Sequence, residues 1–304
     1  MIASEIESAA MRRAIALSAF GLGRTSPNPP VGCVVLDREG RVVGEGYHER
    51  KGEPHAEVNA LAAAGDRARG GIAVVTLEPC NHHGRTPPCR QALLDAGIAR
   101  TVIALIDPTS REEGGAARLR AAGVDVEVGV LADEARVVLG PWLYSLGTRR
   151  PQVTWAYRVG PDGRIRALTD AQVDALSGAV DVVLRGDGHV VEGVPGGHGT
   201  DAFHLPSLRA GVPLDDLCDA LYDGGARSVL LASEREYAEN FLRTGLVREA
   251  VVLVSSNGPS STPSGEGASV LPPGFTLRDV SRIGDDLRLD ARPQEQGQIT
   301  DSGV

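Results

Sequence analysis

Four side chains in the first third of the chain could together hold and use a metal. They are His55 and Glu57 in Pro54-His-Ala-Glu57, Cys80 in Glu78-Pro-Cys80, and Cys89 in Pro88-Cys89. One imidazole and two thiolates suit zinc: they fill three corners of a tetrahedron and leave the fourth for water, which becomes nucleophilic near neutral pH. Glu57 lies two residues beyond His55, in the first turn of an expected helix. From there it can face that water without binding the metal, take its proton and pass it to a departing amine. Predicted helix starts at His55 and just before Cys89 place ligands at positive helix ends, which favours thiolate over thiol. Each fragment alone is weak, since a lone His-x-Glu is usually a solvated helix start and a lone Pro-Cys a buried small residue. Their joint occurrence carries the reading, and a purely structural zinc has no use for a proton shuttle. Cys33 and Cys218 lack such company and read as core cysteines, and His83 reads as a loop group rather than a further ligand.

The elements that must position these groups follow from periodicity. Apolar residues at Ile6, Ala10, Ala14 and Leu17 predict an opening amphipathic helix. Thr25-Ser-Pro-Asn-Pro-Pro30 ends it, and Val31–Leu36 and Arg41–Gly46 follow as a hairpin turning at Glu39-Gly40. An alanine-rich helix runs from Pro54 to about Gly65, then a strand at Ile72–Leu77, a polar loop, and a helix from about Pro88 to Ala96. Strands at Thr101–Ile106 and Val124–Val128 flank a helix near Ala116–Ala122, and a further helix is expected around Leu131–Gly140. Alternating strand and helix signify a layered α/β sheet. Arg149-Arg150-Pro151 marks a boundary, so we expect domains at 1–148 and 149–292 and a flexible tail at 293–304. The second half also reads as α/β, with strands at Gln152–Tyr157, Val180–Leu184, Ser228–Leu231 and Ala250–Val254. Val194–Thr200 and Ser255–Ser269 carry no element signal.

Composition narrows the partners. A formal charge of −9 opposes a nucleic-acid surface and favours a small-molecule partner. No run approaches the roughly 18–20 apolar residues of a membrane span, and no secretory signal opens the chain, so a cytoplasmic protein is expected. Four scattered cysteines do not make a disulfide scaffold.

Zinc deaminases as a class place two residues between their cysteines, whereas eight stand between Cys80 and Cys89. The run Glu78-Pro-Cys-Asn-His-His-Gly-Arg-Thr-Pro-Pro-Cys89, with Thr25-Ser-Pro-Asn-Pro-Pro-Val-Gly32, Gly46-Tyr-His48 and Asp107-Pro108, closely resembles the deaminase half of the bifunctional riboflavin-biosynthesis deaminase/reductase family. The resemblance covers roughly residues 8–150. It implies a cytidine-deaminase-like three-layer domain with a mixed sheet, followed by a dihydrofolate-reductase-like α/β domain. It further implies one Zn2+ per chain on His55, Cys80 and Cys89, a proton shuttle at Glu57, and substrate contacts at Asn28, His48, His82 and Arg85. The implied substrate is a phosphorylated pyrimidine, 2,5-diamino-6-ribosylamino-4(3H)-pyrimidinone 5′-phosphate, which loses its 2-amino group as ammonia. An amide suits a pyrimidinone edge, and Arg85 with a histidine suits a phosphate monoester; which of them meets the phosphate is left open. A homodimer or homotetramer is expected.

Past residue 150 the resemblance decays. The family's lysine is Ala156, and its paired aspartates are Gly193 and Val194, although Gly186 and Gly188 keep their glycines. Its Leu-Leu-Glu-Gly-Gly is Leu230-Leu-Ala-Ser-Glu234, and the strand that should precede Ala167-Leu-Thr-Asp170 is short. Glycines allow close approach of backbone to a dinucleotide, whereas a carboxylate at Glu234 would repel its pyrophosphate. We therefore expect a shortened, degenerate pseudo-reductase that does not bind NADPH productively. Four rivals stay open at this point: a nucleic-acid-editing deaminase, opposed by the acidic charge; a deaminase of a related aminopyrimidine or purine-derived nucleotide; a non-enzymatic scaffold, opposed by Glu57; and a deaminase that still reduces with NADPH.

Overall fold

The computed structural model describes residues 3–81, 87–110, 113–160, 162–198, 212–255 and 270–294. Helix α1 (Glu5–Ser18) opens on a capping box, in which Ser4 and Glu7 each accept the other's backbone N–H through their side chains. Strands β1 (Gly32–Leu36) and β2 (Val42–Tyr47) form the expected antiparallel hairpin. Helix α2 (Ala56–Ala64), strand β3 (Ile72–Leu77), helix α3 (Cys89–Asp95), strand β4 (Arg100–Leu105), helix α4 (Gly114–Ala121), strand β5 (Asp125–Val128) and helix α5 (Ala132–Thr148) follow. The strands assemble in the order β2-β1-β3-β4-β5, antiparallel across β2, β1 and β3 and parallel from β3 to β5, so the sheet is mixed.

Alternation along these strands sends side chains to two cores. Val34, Leu36, Val74 and Val102 meet Met11 and Ala14 of α1 and Leu139 and Trp142 of α5 on one face. Cys33, Val35, Val75 and Ile103 meet Ala56 and Ala60 of α2, Leu93 of α3 and Leu119 of α4 on the other. Three layers result, helices on both faces of one sheet. Arg100 ties the first layer to the sheet, donating to Glu7 at 2.6 Å, to Asp125 at 2.5 Å and to Glu127.

Among the described residues the second half builds a separate sheet. Its elements are β6 (Gln152–Val159), β7 (Ile165–Arg166), α6 (Asp170–Ser177), β8 (Val182–Arg185), β9 (Val190–Glu192), α7 (Leu214–Asp223), β10 (Ser228–Ala232), α8 (Arg235–Arg243), β11 (Val247–Ser255), β12 (Phe275–Ile283) and β13 (Asp286–Pro293). The order is β12-β13-β11-β6-β10-β8-β9, with β7 paired to β6, and the central strands β11, β6, β10 and β8 are parallel. Helices α7 and α8 cover one face around Trp155 and Tyr157, while Val173 of α6 packs on the other. Cys218 lies in the first of these cores and Cys33 in the α2 core, both buried.

Two expectations need correction. The helix expected to end near Gly140 runs on through Pro141 to Thr148. An interior proline costs about 3 kcal/mol, but Trp142 and Ser145 are buried beyond it and their packing holds the last turns in place. The hairpin β12–β13 occupies a stretch where the sequence signalled no strand, and Pro293, expected to start the frayed tail, pairs with Phe275. This hairpin is a sheet edge: β12 is exposed along most of its length and carries Arg278, Asp279 and Arg282, so apolar alternation is weak there. No described helix is long and apolar enough to cross a membrane.

Candidate active site

The cavity that holds the chemistry opens at the carboxyl ends of β3 and β4, beneath α5 and beside the loop before β1. Pro27, Asn28, His48, His55, Glu57, Cys80, Asp107, Thr109, Trp142 and Leu146 line it. His55 is the N-cap of α2, so Glu57 falls in the first turn. Cys89 is the first residue of α3, and its N–H, one of the donors a helix start leaves free, reaches Cys80 Sγ at 3.2 Å. His55 Nδ1 stands 3.2 Å from Cys89 Sγ and 3.7 Å from Cys80 Sγ. The three donor atoms lie within 4.8 Å of one another. Tetrahedral zinc with ordinary bond lengths sets nitrogen and sulfur about 3.6 Å apart, so this trio fits the ion.

The spacing of α2 against the sheet depends on glycine. A Cβ on Gly46 of β2 would stand 2.5 Å from Ala60 N and 2.6 Å from Ala56 O, and only hydrogen fits there. This close seat brings the first turn of α2 over β3 and up to the two cysteines.

Electrostatics divide the group into donors and acceptors. Cys80 is pulled down to about 4 by the hydrogen bond from the Cys89 thiol, helped by His55 and the Cys89 N–H. Cys89 is pushed up by that same partnership and by burial. His55 is raised, chiefly by its hydrogen bond to Cys80. Glu57, 3% exposed, is raised by burial against the pull of His55. A carboxyl that burial shifts toward its protonated form is suited to carry a proton between two partners.

His48 is lowered to about 4, mainly by burial, and so is neutral at pH 7. Its ring is 5.3 Å from that of His55, edge to face. Nδ1 is 3.1 Å from the Pro54 carbonyl, which can only accept, so the proton sits on Nδ1. Nε2 then accepts from Asn28 Nδ2 at 3.4 Å. Among the described residues, Asn28, which lines the cavity, has no partner for its Oδ1 or its second amide N–H.

Sequence reasoning named Asn28, His48, His55, Glu57, Cys80 and Cys89; the first five line one cavity, and Cys89 joins His55 and Cys80 at its wall. His82 and Arg85, and also His83, lie outside the described residues. Trp142 and Leu146 were missed because the helix that carries them was expected to stop before Pro141. Glu78 was quoted only as part of a motif. It is buried and accepts from Ala116 N at 2.9 Å and Ser110 Oγ at 2.8 Å, so it pins the loop that brings Asp107 and Thr109 to the cavity. Among the described lining residues there is neither lysine nor arginine.

The chain is similar to several known proteins. Residues 4–105 match the family described as the cytidine and deoxycytidylate deaminase zinc-binding region. The chain is 44% identical over 191 residues to the riboflavin biosynthesis protein RibD of Mycobacterium tuberculosis (strain ATCC 25618 / H37Rv), a match covering 62% of this chain and 56% of that protein. It is 51% identical over 127 residues to the diaminohydroxyphosphoribosylamino-pyrimidine deaminase of Buchnera aphidicola subsp. Acyrthosiphon pisum, covering 41% of this chain and 86% of that protein. The chain spans about half the length of the RibD proteins it matches. In three dimensions it is similar to the diaminohydroxyphosphoribosylaminopyrimidine deaminase/5-amino-6-(5-phosphoribosylamino)uracil reductase of Thermotoga maritima, with a TM-score of 0.75, 26% identity, and 95% of this chain and 99% of that one covered.

Proposed function

Because the chain belongs to the riboflavin-biosynthesis deaminase/reductase family, with a cytidine-deaminase-like part followed by a reductase-like one, we propose that it removes the 2-amino group of 2,5-diamino-6-ribosylamino-4(3H)-pyrimidinone 5′-phosphate by hydrolysis. The observation that carries this reading is the convergence of His55 Nδ1, Cys80 Sγ and Cys89 Sγ beside a buried Glu57, in the cavity that also holds Asn28. His55, Cys80 and Cys89 would hold the zinc, which supplies the Lewis acidity that makes water nucleophilic near neutral pH. Glu57 takes a proton from the attacking water as its oxygen bonds to C2 of the ring. It returns the proton to the 2-amino nitrogen as the C2–N bond breaks and ammonia leaves; the remaining hydroxyl proton passes to the ring nitrogen, and C2 becomes a carbonyl. His48 stays neutral and uses Nε2 to fix the Asn28 amide, whose free Oδ1 and N–H then read the pyrimidinone edge. Trp142 and Leu146 exclude water from above. The phosphate needs a cation that the described lining does not offer, and we assign that contact to Arg85 or His82, as the resemblance implies.

We assign the deamination to residues 1–148 and a reductase-like body without productive NADPH binding to 149–292. The register supports this: Ala156 of β6 is paired with Ala232 of β10, and both are buried among Leu168, Val183, Leu230 and Val251. These are the positions where the resemblance implies a lysine and an acidic residue, and here they form apolar core. Glu234 caps α8, which puts a carboxylate where a pyrophosphate would need the helix start. These residues do not fit the dinucleotide, and no reduction step is assigned to the chain.

Purified full-length chain supplied with the diaminopyrimidinone ribosylamine phosphate should release ammonia and contain one zinc per chain. Absence of ammonia, or of bound metal, overturns the reading.

A further inference from the structure

The loop that carries Asn28 is not held by the first half alone. Gly23 lies against the second half with φ +66, and a Cβ there would stand 2.7 Å from the Val180 carbonyl. Three residues on, buried Ser26 donates its hydroxyl to Asp181 Oδ2 at 2.9 Å. Asp181 is 1% exposed and precedes β8. The same Oδ2 accepts the backbone N–H of Arg227 at 2.8 Å and of Ser228 at 2.9 Å, and His198 Nε2 stands 3.2 Å from Oδ1. A buried carboxylate saturated in this way is a rigid acceptor, because any movement would leave a charge without its donors. Ser26 is therefore tied to the fixed frame of the second sheet. From Ser26 the chain runs through Pro27 to Asn28, whose N–H is bonded to the Thr25 carbonyl at 2.9 Å and whose amide meets His48.

We propose that Asp181 is a positioning residue for the deaminase site, acting through Ser26 to hold the Asn28 loop in its substrate-reading position. The second half thus serves substrate binding without touching the substrate. This rests on the assignment of Asn28 to the pyrimidinone edge. Glu57 and the three ligands sit on α2, α3 and the end of β3, which this contact does not reach, so loss of the tether should raise KM and spare kcat.

The test is Ser26→Ala, which removes one hydroxyl and leaves the other donors of Asp181 in place. Arg248→Ala serves as a control: its guanidinium lies 5.7 Å from the Tyr144 ring, a contact between the halves that is remote from the loop. With the diaminopyrimidinone ribosylamine phosphate as substrate, Ser26→Ala should raise KM about tenfold, in line with loss of a hydrogen bond to a charged group, and keep kcat within twofold. Arg248→Ala should keep both. Hydrogen exchange at the amides of Thr25, Ser26 and Asn28 should quicken in Ser26→Ala alone. An unchanged KM, an equal fall in kcat, or unchanged exchange overturns the proposal. A wild-type protein that releases no ammonia defeats the functional assignment instead, and the exchange comparison then still decides whether the second half holds the loop.

Discussion

Replacing Gly46 by alanine puts the geometry of the site under direct test. The added methyl carbon would meet Ala60 N at 2.5 Å, Ala56 O at 2.6 Å and Asn59 Cβ at 2.7 Å. Ordinary contact begins near 3.4 Å, so α2 must lift from β2 by about 0.9 Å, because two of the three obstacles are backbone and cannot rotate away. Overpacking of this kind costs about 1–3 kcal/mol. A unit of this size loses roughly 2–4 °C of Tm for each kcal/mol. The clash includes the carbonyl of Ala56, which stands between His55 and Glu57, and a misplacement near 1 Å costs on the order of 10²-fold in rate. The assay is ammonia release at subsaturating substrate, read alongside a thermal melt. Gly65→Ala separates instability from misplacement: with φ +56 and nothing within 4 Å of the new carbon, it strains the backbone but displaces no neighbour. It should lower Tm and keep kcat/KM. A Gly46→Ala protein with kcat/KM within twofold of wild type would refute the claim that the glycine seat of α2 sets the catalytic distances.

Other perturbations separate the roles within the site and the fold. Glu57→Gln should retain zinc by elemental analysis and lose kcat by about 10²- to 10⁴-fold or more, whereas Cys89→Ala should lose the metal itself; normal ammonia release by the Gln variant would contradict the proton-transfer role. Arg100→Ala leaves Glu7 buried and unpaired, 6% exposed at the side chain, and should cost about 3–5 kcal/mol in a chemical denaturation series. Burial acts to raise the Glu7 carboxyl, but the hydrogen bonds from Arg100 and Ser4 leave it below its ordinary value of 4.5. Its contribution is therefore complete above pH 4.5 and is lost as pH falls below that toward the folded value. Glu7→Gln, which keeps the cap, should flatten this acid limb in a plot of Tm against pH. Isothermal titration with NADPH should give no micromolar binding, and a micromolar isotherm would restore the reductase.

What could be read from the sequence divides along the range of the interactions involved. The His55, Cys80 and Cys89 cluster was legible because each residue sits at an element boundary that local signals mark: Pro54 before α2, Pro88 before α3, and the end of the apolar run β3. The same signals gave the order of strands and helices in the first sheet. Trp142 was not legible, because Pro141 ends a helix by every local rule and only the buried face of α5 overrules it. The tautomer of His48 was hidden too, since it follows from a carbonyl six residues away and an amide twenty away. The β12–β13 edge escaped because hydrogen bonds to β11, rather than apolar alternation, define it.

If the second half lacks the residues of a reductive step, as proposed, its buried polar groups give a physical reason for keeping it. Along its central strands Ala156 and Ala232 pack as hydrocarbon. Its buried carboxylate is Asp181, and that group is spent on the start of β10 and on Ser26 of the other half. Replacing Asp181 would take the acceptor from two backbone N–H groups and the hydroxyls of Ser26 and Ser228, at a cost of about 1–3 kcal/mol for each that stays dry. Selection for deamination alone would thus hold Asp181 and the sheet that presents it, while the polar residues of a reductive step would be free to change.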